Sequence, residues 1–111
     1  MKTSAIRHLS FYPFVQPLAR NRAQFMLDAA YRDLSDAELI WWKRTSPETR
    51  HTVPMAVRYE DRNITQWTAS ADFSEEAHYI KYAFKLTDTE GKLCWLNSLG
   101  VQDTFILEGS Y

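Results

Sequence analysis

The chain has 111 residues, with thirteen basic against fourteen acidic side chains and a net charge of −1. That length allows one domain, and 45% apolar residues are enough for one core and too many for a disordered chain. The near-neutral charge excludes electrostatic capture of nucleic acid or of an anionic membrane, and three glycines against six Phe, six Tyr and four Trp argue against a glycine loop cradling phosphate.

The dominant pattern along the chain is period two, the signature of strands. Residues 5–9 and 12–15 read as two short strands limited by Pro13 and Pro17. In 23–31, Ala23, Phe25, Leu27, Ala29 and Tyr31 fall on one face, which predicts a half-buried strand. A turn at 32–36 leads to a strand at 37–43, apolar on both faces at its end, and then to a polar loop at 44–50. Residues 51–59 alternate again, and Pro54 places them at an edge or bulge. After a turn at 60–63, residues 64–71 form a strand rich in β-branched and aromatic side chains. Residues 72–77 read as a connecting loop with room for a short helical turn. The clearest strand is 78–86, with Ile80, Tyr82, Phe84 and Leu86 on one face. Asp88 to Gly91 is a hairpin turn, 92–96 the return strand, 97–100 a further turn and 105–107 a last strand. Seven to nine short strands at this spacing predict an all-β, two-sheet antiparallel β-sandwich, with a small barrel as the competing architecture.

Little in this pattern carries chemistry. His8, His51 and His78 lie on three separate segments, without the HxH, HxxxH or CxxC spacing that holds zinc. They read as surface or hydrogen-bonded histidines. Glu60–Asp61 and Glu75–Glu76 are adjacent acids, and strand alternation would send the members of each pair to opposite faces. They read as solvated turn charges. No serine sits in a G-x-S-x-G elbow, and there is no P-loop. The chain alone reads as non-catalytic, with no metal and no cofactor. Cys94 is the single cysteine, so no intrachain disulfide forms, which fits a reducing cytoplasm. The first ten residues carry Lys2, Arg7 and His8 and lack a signal-peptide apolar run. No stretch approaches ~18 apolar residues. The chain stops within a strand-like segment, which reads as a domain belonging to something longer.

The tryptophans are the better lead. A flat indole matches the apolar C–H face of a sugar ring, so carbohydrate sites pair exposed aromatics with a few polar side chains. Trp41 and Trp42 are adjacent on a strand, so one points inward and the other outward, with Trp42 at the mouth of the polar loop. Trp67, between Gln66 and Thr68, reads as a core candidate, and Trp95 follows Cys94 near a turn. Core or interdomain packing is the competing role for each.

Several stretches together resemble the N-terminal domain of the neopullulanase, cyclomaltodextrinase and maltogenic amylase family, an immunoglobulin-like sandwich classed as carbohydrate-binding module family thirty-four. They are Ala5-Ile-Arg-His8, Phe25-Met-Leu27 followed by Asp36-Ala-Glu-Leu39, Pro54-Met55, Asp61 with Trp67-Thr-Ala69, Tyr79 to Leu86, and Gly91, Trp95 and Gly100. The resemblance spans nearly the whole chain and rests on the order of these elements. It implies a parent enzyme of the α-amylase superfamily, glycoside hydrolase family thirteen. That enzyme would cleave α-1,4 and some α-1,6 glucosidic bonds on a downstream (β/α)8 barrel. It further implies a homodimer in which this domain packs against the catalytic barrel of the same or the partner subunit and narrows its cleft. The substrates would be cyclodextrin, malto-oligosaccharide or pullulan, and direct α-glucan binding is a further implied property. Where the family carries a Gly-Asp-Pro-Tyr-like turn, this chain reads Trp42-Lys-Arg-Thr45, so the family's aromatic contact is expected to pass to Trp42. The carbohydrate-binding candidates are accordingly Trp42, Thr45, Trp67 and Trp95. A generic immunoglobulin-like interaction module is the alternative.

Overall fold

The computed structural model of the chain describes residues 1–73 and 80–111, and within them the alternating runs become strands. A turn of 3-10 helix, Thr3–Ala5, precedes nine strands. They are β1 (Val15–Ala19), β2 (Arg22–Ala30), β3 (Leu34–Lys43), β4 (His51–Pro54), β5 (Ala56–Glu60), β6 (Ile64–Asp72), β7 (Ile80–Asp88), β8 (Leu93–Asn97) and β9 (Gly100–Gln102). One antiparallel sheet runs β1-β2-β6-β5 and the other β4-β3-β7-β8-β9. The described strands form two separate sheets rather than a closed barrel, so the fold is an all-β, immunoglobulin-like antiparallel sandwich.

Alternation decides what fills the space between the sheets. In β2 the inward set is Ala23, Phe25, Leu27 and Ala29, all buried as the pattern predicts. Across the ladder Leu27 faces Trp67 of β6, and Leu39 of β3 faces Phe84 of β7. Trp41, Tyr82, Leu86, Cys94 and Leu96 complete the same buried cluster from the second sheet. The β7–β8 hairpin turns as its sequence requires. The Asp88 carboxylate accepts hydrogen bonds from the N–H groups of Glu90 and Lys92, both at 2.9 Å, and Gly91 takes a left-handed φ of 85°.

Five expectations need correction. Residues 5–9 do not form a strand; after the 3-10 turn only Arg7 pairs, exchanging hydrogen bonds with Asp28 at 2.8 and 2.9 Å. Residues 11–14 form a turn, closed by the Phe14 N–H on the Phe11 carbonyl at 2.9 Å, and the strand starts at Val15 with Pro17 on an edge where its missing N–H costs no ladder bond. Tyr31 lies beyond the end of β2 and is 43% exposed rather than inward. The run 51–59 is two strands in different sheets. Buried Met55 is the crossing point, and its N–H donates to the Ala37 carbonyl at 2.9 Å. Residues 105–107 are irregular, because the last pairing is made earlier by β9 and Phe105 packs on the outer side of the second sheet. The expected loop and helical turn at 72–77, the pair Glu75–Glu76, and the first two residues of the expected 78–86 strand lie wholly or partly outside the described residues.

Leu39 is fully buried at the middle of β3. Leu39→Ala should lower unfolding stability by about 2–5 kcal/mol, read from urea unfolding, and a loss under about 1 kcal/mol would contradict this packing.

Candidate functional site

The adjacent tryptophans of β3 divide between the two faces of the sheet as alternation requires. Trp41 points into the sandwich, stacked on the His51 ring at 4.2 Å and edge-on to Phe73 at 4.9 Å. Trp42 points outward, yet only 2% of it is exposed. It belongs to a second, smaller apolar cluster on the outer face, with Ile40, Ala83, Trp95 and Phe105. The Phe105 ring covers it edge-on at 5.7 Å, and the Arg50 guanidinium lies 4.7 Å from the Phe105 centroid. Trp95 is half-buried in that cluster and sits across the ladder from Lys85, which pairs with Glu38 at 3.8 Å. Of the four candidates, the structure therefore brings Trp42 and Trp95 together. Thr45 is exposed in the loop after β3, and Trp67 faces the core from the other sheet, 8% exposed, its Nε1 lacking a hydrogen-bond partner.

His8 is a hydrogen-bonded core histidine. Its Nδ1 lies 2.7 Å from the Met26 carbonyl, which can only accept, so Nδ1 carries the proton. Nε2 then accepts from the Tyr82 hydroxyl at 2.8 Å. Met26 belongs to one sheet and Tyr82 to the other, so the imidazole bridges them. Burial holds its pKa down at about 4, against a smaller opposing effect of the Met26 hydrogen bond. Cys94 is also buried, and burial pushes its thiol up, so the sulfur stays protonated at neutral pH. Among the described residues no cluster of three or more His, Cys, Asp or Glu could hold a metal ion, and no helix is long and apolar enough to cross a membrane.

The aromatic side chains that do reach water are others. Phe11 is 61% and Tyr12 71% exposed on the N-terminal turn, and Tyr31 and Tyr59 lie near the β2–β3 and β5–β6 turns. Glu60 and Asp61 also differ from the expectation. Glu60 ends β5 and Asp61 lies in the turn beyond it, so alternation no longer applies and both line one open hollow of about 320 Å³ with Tyr31 and Arg62. The available signal was the position of Tyr31, the last aromatic of an alternating run just before Arg32 and Asp33.

By class the fold is an all-β immunoglobulin-like sandwich of two antiparallel sheets. The sequence profile of the family described as "Alpha amylase, N-terminal ig-like domain" matches residues 1–108. The chain belongs to that family. Among solved structures it is similar to one described as "Cyclomaltodextrinase", with a TM-score of 0.87 and 15% sequence identity. The likeness covers 100% of this chain and 19% of that one, so the chain spans about a fifth of that structure's length. No curated protein matches the sequence.

Unfolded histidine binds its proton near pH 6.5, and His8 in the fold binds it only near pH 4. Between these values the unfolded state holds more protons, so stability present above pH 6.5 is lost as the pH falls towards 4. The full loss amounts to about 3 kcal/mol. Urea unfolding from about pH 7 to about pH 4 should show this slope in the native sequence and not in His8→Phe. Parallel curves for the two chains would contradict it.

Proposed function

We propose that this chain is the N-terminal accessory domain of an α-amylase-type glycoside hydrolase, and that its chief task is docking. One observation carries this reading: Trp41, Trp42 and Trp67 are buried, while Phe11 and Tyr12 stand in water on one short turn. Large aromatics exposed side by side are unfavourable in isolation and characteristic of contact surfaces. On this reading a (β/α)8 catalytic barrel follows in the same polypeptide and cleaves α-1,4 and some α-1,6 bonds of cyclodextrin, malto-oligosaccharide or pullulan. The domain packs on the barrel of its own or the partner subunit in a homodimer and narrows the cleft. A cytoplasmic location suits its one buried thiol. Direct glucan contact through the sequence-named group is a second reading, favoured by the half-buried Trp95 and the exposed Thr45.

The test uses the full-length protein. Replacing Phe11 and Tyr12 together by Ser should raise the subunit dissociation constant about 10–100-fold in sedimentation equilibrium. The same double change in the 111-residue chain should leave its thermal midpoint nearly unchanged, because both side chains are already in water. Unaltered subunit association would contradict the docking role.

A further inference from the structure

We propose that the end of β3, the loop after it and the start of β4 form a binding site for a phosphate group. Strand alternation places the pieces. Lys43 stands two residues beyond Trp41 on β3, and His51 is the cross-strand partner of Trp41 on β4, so the three side chains share one face. The His51 ring is held there by stacking on the Trp41 indole, with centroids 4.2 Å apart and planes 19° from parallel. Two turns order the loop between the strands. The Ser46 N–H donates to the Lys43 carbonyl at 2.8 Å, and the Thr49 N–H donates to the Ser46 carbonyl at 3.1 Å. A hollow of about 170 Å³ results, lined by Lys43, Ser46, Thr49 and His51.

The lining selects the ligand by its donors. A lysine brings a full positive charge and three N–H groups, each hydroxyl brings one O–H, and an imidazole brings at least one N–H. The Ser46 and Thr49 hydroxyls and the His51 ring nitrogens make no hydrogen bond among the described residues, so the fold leaves these donors unused. Among the described residues no carboxylate lines the hollow. Residues 43–51 hold Lys43, Arg44 and Arg50 against Glu48 alone, in a chain whose total charge is −1. Positive charge is thus gathered around this one hollow and draws an anion towards it. A phosphate group presents its oxygens in several directions and takes charge-assisted hydrogen bonds on each, which donors on four separate residues can supply together. A halide or a flat carboxylate meets fewer of them. None of the four lining residues is among the tryptophan-centred candidates, and the assignment does not rest on the enzyme reading above.

The experiment is an amide and imidazole chemical-shift titration of the chain with inorganic phosphate and, separately, ethyl phosphate, each up to about 20 mM, with the ionic strength held constant by sodium chloride. Saturable shifts confined to residues 43–51 are the expected result. Ethyl phosphate binding as well as phosphate would assign the site to the end of a phosphomonoester, and its exclusion would assign it to the free ion; both outcomes support the site. Lys43→Ala should weaken phosphate binding about 10-fold and Thr49→Ala about 3-fold. The Thr49 side chain is exposed, so Thr49→Ala should keep the native thermal midpoint and remains a test even where Lys43→Ala disturbs the loop. No saturable shift with either phosphate, sodium acetate moving the same residues as strongly, or Thr49→Ala binding as well as the native chain would each overturn the proposal.

Discussion

The space between two stacked sheets is a layer about 10 Å thick, and rings fill most of it here. Phe25, Trp41, Trp67, Phe73, Tyr82 and Phe84 all lie in the one cluster. His8 sits among them, within 4.7 to 5.9 Å of the rings of Phe14, Tyr82, Phe84 and Tyr111. An imidazole in such surroundings is tolerable only with both nitrogens bonded, and its partners lie on opposite sheets. The far end of the chain joins the same group. Tyr111 exchanges backbone hydrogen bonds with Tyr82 at 2.9 and 3.2 Å and stacks on its ring at 5.1 Å. Segments from both ends of the chain are thereby fixed to one strand.

That constraint determines what remains for the surface. With Trp41 and Trp67 inside and Trp42 covered by Phe105, the fold uses its tryptophans mainly for its own cohesion. Aromatic chemistry on the outside falls to Phe11 and Tyr12 at one place and to Tyr31 and Tyr59 at another. The side chains of the first pair make no hydrogen bond among the described residues, whereas the second pair lies among charged, hydrogen-bonded groups. Neither region involves the buried thiol of Cys94 or the imidazole of His8.

The architecture was legible because alternation is a local property. Phe25, Leu27 and Ala29 face inward by spacing alone, and Trp41 and Trp42 had to separate. Asp88 and Gly91 specified their turn by side-chain acceptor and left-handed backbone. What was not legible depended on neighbours distant in sequence. The crossing at Met55 requires the Ala37 carbonyl, and the irregular course of 105–107 follows from a hydrophobic cluster built by β3, β7 and β8. Trp42 points outward as alternation requires and is nevertheless buried, because the loop residue Phe105 arrives to cover it. Glu60 and Asp61 share one hollow because the strand, and with it the alternation of faces, ends at Glu60.

Trp41, Trp42 and Trp67 are structural here, and the solvent-facing aromatics are a different set. Photochemically induced polarisation of aromatic NMR signals by a flavin dye tests it directly, because only rings the dye can touch respond. The account predicts enhanced signals from Tyr12, Tyr31 and Tyr59 and none from the indoles of Trp41, Trp42 and Trp67. A strong Trp42 indole signal, with Tyr31 silent, would contradict it.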